Sequence, residues 1–261
     1  VKPVLQQLFR SNHFYEMYIR GAVIKNPISF SLGFLKELNS HFDKVYVVTS
    51  KNNVLSKKKK IEKIFYIFKY YTVFEIIDLI ITRFLKRTLK DYCRNNNIFY
   101  KNFQSINDEN SYDYLKNINP QIIFVCSFSE LINNEIITLP KYGVYNFHFG
   151  DLPLNQGPNP IQWALINKES LAIVTCHELN EKFDEGNVII KAQKNIWQIK
   201  SYKEIEYLFI KTSIDCFKSF MNLYTSKSLL ANKQENNKMK YFPKVTAYQK
   251  YKLLIRLFLK L

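Results

Sequence analysis

Glycine is scarce in this chain, at 6 of 261 residues. Glycine is the residue that turns sharply or lets another group come close at no steric cost, so each one here marks a place of that kind. Cysteine is also rare. Cys93, Cys126, Cys176 and Cys216 show no CxxC or other metal-ligand spacing, which argues against a zinc site or a disulfide framework. A reduced, cytoplasmic compartment is therefore expected. Acidic residues are outnumbered, 22 against 38 Lys and Arg, for a net charge of +16. That excess fits a polyanionic partner, or else a compositional bias in a chain crowded with Asn, Ile, Phe and Tyr. Apart from Lys57 to Lys60 the charge is spread along the chain and outlines no groove. Uncharged membrane-length runs are missing as well. The longest apolar stretch, Ile64 to Leu85, carries Lys69, Glu75, Asp78 and Arg83, and each costs about 2.5–3.5 kcal/mol at a bilayer centre. It is not a transmembrane helix, and an amphipathic helix facing a membrane surface or a partner stays open. The N-terminus has no signal-peptide pattern.

What is present alternates short β-branched runs with longer amphipathic ones, the pattern of an α/β fold. Strands are expected at Met17–Ile24, Val45–Thr49, Phe99–Asn102, Ile122–Cys126, Tyr142–Phe147, Leu171–Leu179 and Val188–Lys194. Helices are expected at Phe30–Leu38, over an insertion from Ser56 to about Asn95, and at Ser111–Asn117, Ile132–Leu139, Ile161–Ile166, Ser201–Tyr224 and Tyr248–Leu261. The polar stretch Lys227 to Lys240 reads as loop. This predicts a Rossmann-like, mostly parallel twisted sheet flanked by helices. Residues 1–200 form a catalytic domain with a helical insertion at about 56–95, and residues 201–261 form a helical C-terminal extension.

Four of the six glycines (Gly143, Gly150, Gly157, Gly186) and two of the four histidines fall between Tyr142 and Val188. Within that segment Asn146 and His148 are two apart in a strand, so they share a face near its C-terminal end, where α/β sheets place their ligands. Thirty-six positions on from His148, Asp184 sits in Phe183-Asp184-Glu185-Gly186 between two strands. An amide, an imidazole and a carboxylate suit acyl transfer: the amide donates to a developing oxyanion, the imidazole shuttles a proton, and the acid orients the imidazole.

The stretch from Gly143 to Ala164, with Asn146-Phe147-His148, Leu152-Pro153, Gly157 and Pro160-Ile161-Gln162-Trp163-Ala164, resembles the signature of the folate-dependent formyltransferases. The downstream Asp184-Glu185-Gly186 run resembles that family's Asp-x-Gly turn at its usual spacing. The resemblance covers residues 117 to 195, is faint over the first 100 residues and is absent after about 200. Where the family has a serine and an arginine in the loop after the histidine, this chain has Gly150 and Gln156.

The resemblance implies Asn146, His148 and Asp184 as catalytic residues, N10-formyltetrahydrofolate as co-substrate, and no metal. It implies pterin contacts from Ser127, Phe128, Ser129, Leu131 and Ile132, with Gly186 beside the acid. It also implies an amine acceptor. The glycine-rich phosphate loop of the glycinamide ribonucleotide enzymes is missing after the first strand, and the last 60 or so residues lack the pattern of the β-barrel found in methionyl-tRNA formyltransferases. The sugar N-formyltransferases remain, so an amino-sugar nucleotide is the expected partner. Lys25, Asn26, Gln156 and Asn159 are the residues placed nearest it. Nucleic acid is not expected, while peripheral membrane contact and a homodimer stay open. The alternatives are a formyltetrahydrofolate hydrolase, a methionyl-tRNA-type formyltransferase, or a non-catalytic basic binding protein.

Overall fold

The computed structural model describes residues 15–21, 27–50, 59–73, 76, 89–126, 128, 130–199 and 201–259. The elements are β1 (Tyr15–Gly21), α1 (Pro27–His41), β2 (Lys44–Ser50), α2 (Lys60–Tyr70), α3 (Leu89–Asn95), β3 (Phe99–Phe103), α4 (Glu109–Ile118) and β4 (Ile122–Cys126). They continue as α5 (Asn134–Ile137), β5 (Val144–His148), α6 (Pro160–Ile166), β6 (Leu171–Glu178), β7 (Val188–Asn195), α7 (Tyr202–Thr225) and α8 (Ala247–Leu259). The sheet order is β3-β2-β1-β4-β5-β6-β7. The first five strands are parallel, and β6 and β7 are antiparallel additions. The chain runs outward from β1 to β3 and then restarts at β4 on the other side. This Rossmann-like order creates a crevice at the carboxyl ends of the strands.

A parallel sheet covered on both faces needs strands that are apolar throughout. All five residues of β4, Ile-Ile-Phe-Val-Cys, are buried. On one face Phe34, Leu35 and Leu38 of α1 meet Phe124, Phe147 and Phe209, Phe217 and Phe220 of α7. The rings pack mostly edge-on, Phe34 to Phe147 at 5.0 Å and Phe124 to Phe220 at 5.5 Å, the geometry that aligns a positive ring edge with a negative face. On the other face Val48, Ile106, Leu115, Ile123, Val125 and Ile136 close a second layer. α7 thus belongs to the core. Ser201 starts it by accepting a hydrogen bond from the Glu204 amide, as an N-cap does.

One helix is shorter than its sequence pattern suggests, and the expected helical insertion lies partly outside the described residues. Over Ile132–Leu139 only Asn134–Ile137 is helical. The Asn107 side chain donates to the Leu131 carbonyl and accepts from the Asn133 amide, which holds the approach extended. In the insertion, α2 stops where Tyr71 turns extended (φ −118°, ψ 133°). The buried Lys250 ammonium donates to the Tyr70 carbonyl at 2.7 Å, favourable against the negative end of a helix dipole. Lys244 reinforces the same junction. Its ammonium lies 4.7, 5.3 and 4.9 Å from the ring centres of Tyr66, Tyr70 and Tyr71 and donates to the Tyr66 hydroxyl.

After α7 the chain returns as a strap. Asn232 forms an antiparallel bridge to Val188, and Tyr241 a parallel bridge to Gln156. The strap crosses the loop after β5 so closely that a Cβ on Gly157 (φ +99°) would lie 2.4 Å from the Phe242 carbonyl oxygen. Gly157→Ala is expected to cost about 2 kcal/mol or more, combining left-handed strain with a backbone clash. Urea unfolding measures it, and an unchanged midpoint would contradict the close crossing.

Candidate active site

β5 ends at His148, at the carboxyl edge of the sheet beside the crevice. Its antiparallel neighbour β6 sets Thr175 opposite His148 and His177 opposite Asn146. The turn between β6 and β7 then brings Asp184 back over both strands.

His148 is 7% exposed, with Nδ1 3.4 Å from Asp184 Oδ1. Its Nε2 is 2.7 Å from the Asn155 carbonyl oxygen. A carbonyl only accepts, so Nε2 carries a hydrogen, and Nδ1 is the nitrogen that gains or loses the proton. Burial opposes the imidazolium, while the Asp184 carboxylate and the Asn155 carbonyl favour it. The outcome is a His148 pKa above the ordinary imidazole value of 6.5. Asp184 is held well below the usual carboxylate range. Burial pushes its pKa up, but His148, His177 and the Gly157 amide, 2.9 Å from Oδ2, together outweigh that.

His177 is a member of the cluster that sequence reasoning missed. It is 1% exposed. Its Nδ1 donates to the Glu178 carbonyl at 2.7 Å. Its Nε2, 3.1 Å from Asn146 Nδ2, therefore accepts, and this fixes which way the Asn146 amide faces. Burial is the largest influence and lowers the His177 pKa to about 4, with Asp184 opposing. The ring is neutral at physiological pH. One hydrogen of the Asn146 amide is thus engaged by His177, and the partly exposed side chain keeps its second. The only advance signal was that His177 is one of two histidines in the glycine-rich segment.

The folded pKa of His177, about 4, is below the unfolded value of 6.5, so between these values the unfolded chain binds more protons and stability rises with pH. His148 acts oppositely, since its raised pKa gives stability that is lost as pH rises through the folded value. The Asp184 contribution is complete above the unfolded carboxylate value near 4 and is lost below it. A His177→Asn variant should therefore show a shallower stability slope between pH 4 and 6.5 than the parent, measured by urea unfolding across pH. At roughly 1.4 kcal/mol per unit the difference amounts to a few kcal/mol.

The loop after β5 explains the two family positions that differ. A Cβ on Gly150 would lie 2.7 Å from His148 Nε2 and 2.8 Å from the Asn155 carbonyl, so a larger residue would displace the ring. Thr175 holds this loop by donating to the Gly150 carbonyl and accepting from the Leu152 amide. Gln156 is 4% exposed, and its amide donates to the Asp184 backbone carbonyl at 3.1 Å. Asn159 precedes α6 in left-handed geometry (φ 65°), and its side-chain oxygen Oδ1 accepts from the Val245 amide. Gly186 has no room for a side chain, since a Cβ would overlap the Glu178 carbonyl oxygen. Of the expected pterin contacts, Phe128 packs on the second core layer. Leu131 is exposed and Ile132 buried. Ser127 and Ser129, like Lys25 and Asn26, lie outside the described residues. Among the described residues no group of His, Cys, Asp or Glu is arranged to hold a metal ion, and no helix is long and apolar enough to cross a membrane. All four cysteines are buried and unpaired as disulfides.

A Rossmann-like sheet with an amide, two imidazoles and a carboxylate gathered at the end of its fifth strand defines an α/β protein equipped for proton and acyl chemistry. Residues 31–212 match the formyl transferase family, and the chain belongs to that family. It is 27% identical over 140 residues to the methionyl-tRNA formyltransferase of Thermotoga neapolitana, which covers 54% of this chain and 45% of that protein. The chain thus spans about half the length of the methionyl-tRNA formyltransferases it matches. The same fold occurs in WlaRD, a sugar 3N-formyl transferase solved with dTDP and 5-N-formyl-THF (TM-score 0.58, 18% identity, 90% of this chain and 71% of that one). It occurs again in the N-formyltransferase of Helicobacter canadensis, solved with folinic acid and dTDP-3-aminofucose (TM-score 0.57, 20% identity, 88% and 71%).

Proposed function

We propose that this protein transfers a formyl group from N10-formyltetrahydrofolate to the amine of a nucleotide-linked amino sugar, a 4-amino or 3-amino deoxysugar. The observation that carries the formyl-transfer half is the pairing of His148 Nδ1 with Asp184 beside an Asn146 amide oriented by His177. The free hydrogen of the Asn146 amide donates to the formyl oxygen and holds it as it becomes an oxyanion. Nδ1 of His148 takes the proton of the attacking amine, and Asp184 favours the imidazolium so formed. The same proton then leaves with the folate nitrogen. The co-substrate is a reduced folate, bound against the segment from Phe128 to Ile132.

The sugar half rests on a narrower support. Two solved structures, a sugar 3N-formyl transferase and an N-formyltransferase with dTDP-3-aminofucose, match this chain over 88–90% of its length. A second reading, formylation of methionyl-tRNA, is favoured by the curated relatives, whose match covers 54% of this chain. One experiment separates them. The protein is incubated with N10-formyltetrahydrofolate and either a panel of amino-sugar nucleotides or charged initiator tRNA, and the products are weighed by mass spectrometry. A formyl-sized gain on a sugar nucleotide is the expected result. A gain on the tRNA alone would replace the sugar reading. Folate consumed with no amine formylated would mean that water is the acceptor.

A further inference from the structure

We infer that Gln234, carried by the strap beyond α7, is a positioning residue for Asp184, so that the catalytic turn is completed by a residue 50 positions downstream. Residue 234 lies outside the matched family segment, which ends at 212. Only the kinetic part of the inference rests on the formyl-transfer reading.

The turn needs outside support. Asp184 is a non-glycine residue in left-handed geometry (φ 58°), which costs energy unless the surroundings enforce it. Its backbone carbonyl and that of Gly186 face inward. Gln234 is 5% exposed, and its Nε2 donates to the Asp184 carbonyl at 2.8 Å and to the Gly186 carbonyl at 2.7 Å. A primary amide nitrogen has two hydrogens, and here each has a carbonyl. The reverse orientation would set the amide oxygen against two carbonyl oxygens, so the assignment is chemically forced. The amide oxygen Oε1 is left buried without a hydrogen-bond partner. Burying an unpaired acceptor is costly, and the site keeps it in order to present the N–H pair to the turn.

The strap places this side chain by main-chain pairing at both ends. Asn232 and Val188 exchange two hydrogen bonds at 2.8 Å, and the Lys240 and Phe242 amides and the Lys240 carbonyl pair with Pro153 and Gln156. Gln156, at the position of the family's arginine, donates from the loop side to the same Asp184 carbonyl. Two side-chain amides, one from the loop and one from the strap, therefore hold the acid's backbone carbonyl while the Gly157 amide holds its carboxylate.

The test compares Gln234→Met, which keeps the volume but no N–H, with Gln234→Ala. The readouts are the imidazole titration of His148, followed by NMR, and formyl transfer to the best acceptor. Among the described residues, the titratable groups that face His148 are Asp184 and His177. When the turn relaxes, Asp184 moves away and the His148 titration should shift to lower pH in both variants. Turnover should fall on the order of tenfold, with the KM for folate within about twofold. Circular dichroism and thermal unfolding establish that each variant is folded, and Gln234→Met is the milder change should Gln234→Ala unfold. A space-filling role predicts instead that Gln234→Met titrates and turns over like the parent, which would overturn the inference. If the parent formylates no amine while the titration shift appears, the positioning stands and the formyl-transfer reading fails.

Discussion

Asn146→Ala is expected to lower kcat by on the order of a hundredfold to a thousandfold while leaving the KM for the folate nearly unchanged. An oxyanion donor works only as charge develops, so its loss appears in turnover rather than in ground-state binding. The substitution also leaves Nε2 of His177 without the donor 3.1 Å away. A modest loss of stability should accompany the kinetic one, because a buried acceptor is then unpaired. Steady-state kinetics with N10-formyltetrahydrofolate decide the matter. Near-normal turnover would remove Asn146 from the chemistry and leave it a cross-strand spacer between β5 and β6.

The second large effect belongs to the acid. Asp184→Asn keeps the shape and retains an oxygen for the Gly157 amide, but removes the charge 3.4 Å from His148 Nδ1. The introduced amide can donate to Nδ1 and hold the ring neutral, the state that has yet to accept a proton. Turnover should fall by about 10²–10⁴, the range for losing general acid–base assistance. The pH profile gives a signature independent of that magnitude. In the parent the base form of His148 is depleted below a pKa raised above 6.5, so the acid limb of kcat/KM lies above the ordinary imidazole value. Without the carboxylate, burial is the largest remaining influence and it lowers the pKa. The acid limb should then move to lower pH. A limb that stays in place would separate the profile from His148.

How far the sequence foretold this site depends on what kind of information each residue carries. Asn146 and His148 were legible because strand periodicity puts residues two apart on one face and because a family signature surrounds them. Asp184 was legible because the Asp184-Glu185-Gly186 run resembles the family's turn at its usual spacing from His148. His177 was not, because it meets Asn146 only through the antiparallel register of β5 and β6, and nothing local to either strand specifies that register. Gln234 was harder still. It lies in a polar stretch without periodicity, and its partners are backbone carbonyls, which any residue could offer. The sheet itself was readable from its β-branched runs. The shortening of the Ile132–Leu139 helix was not, since it depends on one asparagine side chain from a different loop.

The long reach of the strap also sets a timetable. β5 and β6 are complete at residue 178, yet the amide that steadies the Asp184 turn is 50 positions beyond Asp184, and the lysine that seats against Tyr66, Tyr70 and Tyr71 is Lys244. Synthesis runs from the N-terminus, and contacts that close long loops form late. A chain made only as far as β7 therefore lacks the amide that donates to the Asp184 carbonyl. Both contacts reach the sheet and the helical insertion only with the strap.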